Sequence, residues 1–217
     1  SARAFRAAES SSATVRADAE PGSFISQMAW ANDQLKNQQA AGAKAALTRA
    51  AALAPAAGGD DGPFALLATM AVQDGNKAEA RRQLRHLLNY DHDNIAAART
   101  LAALSDEAGA DGQADAAFAY TRIADLDPFD GEAHTGLGRR ELAAGRVERA
   151  IQEFDAALAL NPPNLADANT DLGEAYLKAG RKDDAKRRAF AALELAPTFA
   201  RAQDLLLAAL GKQAVTR

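Results

Sequence analysis

Cysteine is absent from the 217 residues, which removes disulfides and thiolate chemistry and leaves the redox compartment open. Aromatic residues make up only 6%, with one tryptophan, and no apolar run approaches the length needed to cross a bilayer. Runs rich in valine, isoleucine and threonine are missing too, so a β-sheet has little to build on. Histidine is scarce: His86, His92 and His134 lie too far apart in sequence to converge on a metal, and no HExxH pair supports them. A basic excess is also lacking. The net charge of -4 and pI near 5.4 disfavour a nonspecific phosphate-backbone partner for the chain as a whole. No residue set suggests an active site, and none implies a cofactor or metal.

What the chain does have is alanine. At 48% hydrophobic it can bury a sizeable core, but much of that fraction is alanine, which suits tightly packed helices and an all-α fold. The small residues recur. Between Gly131 and Pro162, Leu137-Gly138 is followed by Ala150, Phe154 and a closing Pro162; His134 and Glu141 take slots that an aromatic fills elsewhere. The next copy gives Asn169, Leu172-Gly173 and Tyr176, then Ala185, Ala189 and Pro197. Upstream, Leu101-Ala102, Ala116, Tyr120 and Pro128 mark a copy with a two-residue insertion at Ala110-Asp111-Gly112, and Phe64, Leu67-Ala68, Ala80 and Leu84 mark another that ends at His92 in place of proline. The first copy has Trp30-Ala31, Ala43, Leu47 and Pro55.

A period near 34 residues with these slots resembles the tetratricopeptide repeat family over about residues 24 to 211. The resemblance implies a right-handed superhelical solenoid of antiparallel helix pairs, with five repeats and a closing helix over Thr198 to Gly211. The alternative is an unrelated all-α bundle of alanine-rich helices. In each pair small residues (Gly138 or Gly173, Ala150 or Ala185) let backbones approach, and Phe154 or Tyr120 fills the space toward the next repeat. In the closing helix Phe199, Ala202, Leu205, Leu206 and Ala209 form an inward stripe, leaving Arg201, Gln203, Asp204 and Lys212 for water.

Residues 1–23 stand apart, with Ser10-Ser11-Ser12 and Pro21-Gly22, and read as a tail or linker ahead of a repeat domain over 24–217. They could also form a short docked helix or lie in a groove as a peptide mimic. The start at Ser1 fits a processed precursor or a piece of something longer. Other motifs fail in context. Gly136-Leu137-Gly138 has Glu141 where a dinucleotide loop needs glycine, and residues 59–62 lack the alternating oxygen ligands of a calcium loop, so they read as a solvated linker. The clusters Arg81, Arg82, Arg85 and Lys186, Arg187, Arg188 read as outward, solvated faces of second helices in preference to a nucleic-acid patch, since no aromatics are interleaved, and Glu148 and Glu153 as exposed helix faces with ordinary salt-bridge partners. His134 reads as a partly buried core histidine.

The resemblance also implies a function: a non-catalytic scaffold whose first helices line a concave groove that takes a peptide or partner protein. Carried onto this register, the groove positions are Ile25, Met28, Asn32, Leu35 and Lys36, then Ala65, Thr69, Val72 and Gln73. Arg99, Ala103, Asp106 and Glu107 follow in the third copy. Glu132, Thr135, Arg139 and Leu142 come next, and Asp167, Thr170, Glu174, Leu177 and Lys178 last. The first half is apolar and the second charged, so a ligand with one apolar and one charged end would match, with Met28, Leu35, Val72, Arg99 and Arg139 as its main contacts. Equally, the same residues read as an ordinary solvated concavity whose arginines pair with neighbouring acids. A carboxylate clamp of the chaperone-tail-binding kind is not expected, because its windows hold Met28, Asn32, Leu66, Ala96 and Thr100, and later Asp167 and Asp171 where cations are needed. The other reading is the repeat region of a larger enzyme or membrane-associated assembly. Expected partners are therefore proteins or peptides, with no nucleic acid and no membrane insertion, and self-association through the solenoid ends. The chain is expected to be soluble, with the compartment, cytoplasm or periplasm, left open by the sequence.

Overall fold

The computed structural model describes residues 22–211, which divide into two compact units at the boundary between Glu107 and Ala108. The first holds α1 (Phe24–Lys36), α2 (Ala40–Leu53), α3 (Pro63–Gln73), α4 (Lys77–Leu88) and α5 (Ile95–Glu107). The second opens with a 3-10 turn at Gly109–Gly112, where the insertion was expected. It continues with α6 (Gln113–Leu126), α7 (Gly131–Ala143), α8 (Val147–Ala159), α9 (Leu165–Lys178), α10 (Lys182–Leu195) and the closing α11 (Ala200–Ala209). Among the described residues there is no strand, and no helix is long and apolar enough to cross a membrane. The helices fall where the repeat pattern puts them, so the all-α helical repeat fold stands. The unit boundary lies inside the third repeat, between α5 and α6. The expectations for residues 1–21 and for Lys212 lie outside the described residues.

Local signals explain the helix ends. Side chains of Ser23, Asn76, Asn94, Asp130 and Asn164 each accept a first-turn N–H, at 3.3, 3.1, 2.9, 2.8 and 3.1 Å. The turn joining two helices passes through a left-handed residue once per repeat: Gly75, Gly109, Gly145 and Gly180, but Gln38 (φ 58°) in the first. That conformation costs a residue with a Cβ about 1–2 kcal/mol. Gln38→Gly is therefore expected to stabilise the first unit by about 0.5–1 kcal/mol after the added chain entropy of glycine, read as a rise in chemical-denaturation midpoint. An unchanged or lower midpoint would contradict it.

Packing follows the small-residue pattern. In the second unit Ala150, Phe154, Leu172, Tyr176, Ala185, Ala189 and Leu205 form a single apolar cluster. A Cβ on Gly138 would sit 2.5 Å from the Phe154 ring, and one on Gly136 the same distance from the Tyr120 ring. Each glycine thus receives an aromatic face where any side chain would collide. Ala150 is fully buried, and Ala150→Leu is expected to cost about 1–3 kcal/mol by overpacking; a thermal midpoint equal to wild type would refute that placement.

The loop before α3 is more than a solvated linker. The Gly59 N–H donates to Asp91 Oδ2 at 2.8 Å, and the Asn94 amide donates to Asp60 Oδ1 at 2.9 Å. The Gly59 and Asn94 hydrogen bonds hold the Asp91 carboxyl below its ordinary range. The turn that carries His92 in place of proline is thereby fixed by hydrogen bonds from the loop.

Candidate functional site

Within the second unit α7 packs on α9, and α9 packs on α11. These are the first helices of the fourth and fifth repeats and the closing helix. They enclose an open cavity of about 290 Å³ lined by Arg139, Leu142, Ala143, Phe154, Asp171, Glu174, Lys178 and Arg201. Four of the expected groove residues, Arg139, Leu142, Glu174 and Lys178, thus meet in one place. Leu142, Ala143 and Phe154 supply apolar wall, and the rest is charged.

Asp171 organises that charge. It faces the first-helix side of α9, and its side chain is only 4% exposed. Arg139 Nε and Nη2 both donate to its Oδ2, at 3.1 and 2.7 Å, while Arg201 Nη2 donates to Oδ1 at 2.7 Å. Arg201 also donates to Asp167 at 3.2 Å and Glu174 at 2.9 Å. Burial disfavours the Arg201 charge, but the carboxylates of Asp171 and Glu174 outweigh it and raise its pKa. One enclosed carboxylate therefore holds an arginine from the preceding repeat and another from the closing helix. Lys178 is exposed at the rim and makes no hydrogen bond or ion pair among the described residues.

The remaining groove positions divide by environment. Met28 and Leu35 are half-buried against the apolar cluster of Ala31, Leu47 and Met70, whereas Ile25 is 79% exposed and Val72 44%. Asn32, Thr69, Arg99 and Asp106 are exposed on α1, α3 and α5, and Thr69 returns its hydroxyl to the Ala65 carbonyl at 3.0 Å. Thr170 is fully buried, its hydroxyl donating to the Ala166 carbonyl at 2.8 Å, so it does not line a groove. That bond within its own helix is what lets a hydroxyl sit in the core.

Other polar residues also differ from expectation. Arg201 is bound by three carboxylates and is not left to water. Arg188 is not purely outward: it reaches Asn169 Oδ1 at 3.3 Å and lies 3.9 Å from Asp155. Glu153 has the salt-bridge partner expected of it, His134 Nδ1–H donating to it at 2.7 Å, but it is half-buried where an exposed face was expected. His134 Nε2–H donates to the Pro128 carbonyl at 3.0 Å, so both ring nitrogens face acceptors and the imidazolium satisfies both. Burial opposes that charge, but Glu153, Pro128 and Asp130 outweigh it and raise the His134 pKa above its ordinary 6.5.

A raised folded-state value makes this contribution complete below the unfolded pKa and lost as pH rises through the folded one. Wild-type protein is therefore expected to lose thermal midpoint above pH 6.5 through this group, and His134→Gln to flatten that part of the profile. Parallel profiles for the two proteins would exclude the charged pair. Among the described residues no cluster of three or more histidine, aspartate or glutamate side chains could hold a metal.

Comparison with known proteins accords with the helical repeat fold. Two family models described as Tetratricopeptide repeat match residues 103–164 and 141–210. No curated protein sequence matches the chain. Among solved structures, YrrB, a TPR protein with an unusual peptide-binding site, superposes with a TM-score of 0.60 at 18% identity, covering 88% of this chain and 95% of its own. MamA superposes with a TM-score of 0.54 at 18% identity, covering 89% and 98%. The APC/C hetero-tetramer Cut9-Hcn1 reaches 0.52 at 18% identity, with 94% of this chain against 39% of that one. At these identities the likeness is one of fold.

Proposed function

Because the chain belongs to the tetratricopeptide repeat family, in general a family of non-catalytic protein-interaction scaffolds, we propose that residues 24–217 bind a peptide or partner protein along the first-helix face. The observation that carries the reading is the cavity between α7, α9 and α11, where Arg139, Leu142, Glu174 and Lys178 converge. Among the described residues Lys178 has no partner, so its charge is available to an incoming carboxylate, while Leu142 and Ala143 offer apolar contact. Internal pairing of Arg139 and Arg201 fixes the two guanidinium planes in advance, which lowers the ordering cost of binding. YrrB, of the same fold, is described by its peptide-binding site and lends the reading support by analogy.

The test begins with affinity capture on the purified chain, followed by titration of the recovered peptide segment. Lys178→Glu is expected to weaken its binding about tenfold with an unchanged thermal midpoint, since loss and reversal of one interfacial charge is worth about 1.4 kcal/mol. Arg139→Gln is expected to weaken it further. Full affinity in both variants would overturn the assignment of this cavity.

A further inference from the structure

A second cavity, of about 380 Å³, lies on a different face of α9 and is lined by Tyr176, Arg181, Asp184, Arg187 and Arg188. Three guanidinium groups thus face one space against a single lining carboxylate. That carboxylate is shared: Arg181 Nε donates to Asp184 Oδ2 at 2.7 Å, and Arg187 pairs with Oδ1. Arg188 has no carboxylate in hydrogen-bond range, its closest being Asp155 at 3.9 Å, and its one hydrogen bond goes to the neutral Asn169 side chain at 3.3 Å. The lining therefore carries three guanidiniums against one carboxylate, with Asp155, which pairs with Arg188 and accepts from the Tyr176 hydroxyl at 3.4 Å, beside it. Arg181 stacks on the Tyr176 ring, 4.3 Å from its centroid, which holds the guanidinium flat and gives the cavity an aromatic wall.

We propose that this cavity is a binding site for a phosphate monoester dianion, with Arg181, Arg187 and Arg188 as its donors. Three guanidiniums converging on one space match the terminal oxygens and the charge of a phosphate monoester, and their planar forks suit its geometry. A carboxylate carries half that charge, and the phosphodiesters of a nucleic acid carry one charge each. Nothing in the lining reads bases, so sequence-specific nucleic-acid recognition is not part of the proposal. The phosphate could arrive on a phosphorylated protein side chain or as a free small molecule; both present the same group.

The probes are phenyl phosphate, inorganic phosphate, benzoate, a phosphoserine peptide with its serine counterpart, and a short DNA duplex. Binding to the full chain is followed by amide chemical shifts. Phenyl phosphate is expected to shift the amides around Tyr176, Arg181, Arg187 and Arg188 and to bind about tenfold tighter than benzoate. Its affinity should rise between pH 5 and 7.5 as the dianion forms with a pKa of about 6. Arg187→Gln/Arg188→Gln should abolish the shifts. Because loss of the Arg188 contacts could perturb α10, Arg187→Gln alone, at a largely exposed side chain, should still weaken binding severalfold with an unchanged melting midpoint. A phosphoserine peptide tighter than inorganic phosphate identifies a protein-borne source, and the reverse order a free one; either supports the site. Equal affinity for benzoate, shifts elsewhere on the chain, preference for the duplex, or binding unaffected by Arg187→Gln would each overturn it.

Discussion

Phe154→Ala is expected to destabilise the second unit by about 3–5 kcal/mol, which for a unit of this size lowers the melting midpoint by roughly 15 °C or more. The side chain is 2% exposed, and its ring lies against the bare backbone of Gly138 on one side and the cluster of Leu172, Ala175 and Tyr176 on the other. Nothing near Gly138 can move in to fill the vacated space, because glycine has no side chain. The cavity therefore stays largely open, and the full transfer and void costs are felt. Double substitution separates this from a general core effect. Gly138→Ala alone pushes a methyl against the ring, and Phe154→Leu alone leaves room. Together they should cost less than their sum by about 1 kcal/mol or more, whereas strict additivity would show that the two residues do not share a contact.

Asp171→Ala is the second large effect. Removing one partner from a fully enclosed ion pair costs about 3–5 kcal/mol. Here the carboxylate is enclosed, but the Arg139 and Arg201 side chains are 51% and 42% exposed, so water recovers part of the loss and about 2 kcal/mol is expected. The asymmetry is the sharper part of the expectation. Arg139→Gln removes a half-exposed cation and leaves Asp171 still held by Arg201, so it should cost less than about 1 kcal/mol. If the arginine substitution proved as damaging as the aspartate one by equilibrium denaturation, the carboxylate would not be the centre of the arrangement.

The repeat architecture was legible because it is written in volume. Gly138, Ala150, Gly173 and Ala185 mark close approaches that only small residues allow, and Phe154 marks the matching protrusion; such marks recur with the period and survive the loss of any one slot. The groove positions Arg139, Leu142, Glu174 and Lys178 followed from the same register. Asp171 and Arg201 did not. Their pairing joins residues on separate helices, and an ion pair across elements leaves no periodic trace, so an arginine at the edge of an apolar stripe reads as solvated. Thr170 was misread for a related reason: a hydroxyl looks polar in sequence, and only the carbonyl one turn earlier in its helix makes it a core residue. That Glu153 has a salt-bridge partner is legible, but that the partner is His134 is not, because the link between them crosses from α7 to α8.

The doubly held carboxylate has one more implication. Asp171 Oδ2 serves Arg139 and Oδ1 serves Arg201, so the two guanidiniums compete for one negative charge through the same small group. Were a guest to draw Arg139 toward itself, Asp171 would still be held by Arg201 through its other oxygen, so the closing helix would keep its tie to α9 while the preceding repeat let go.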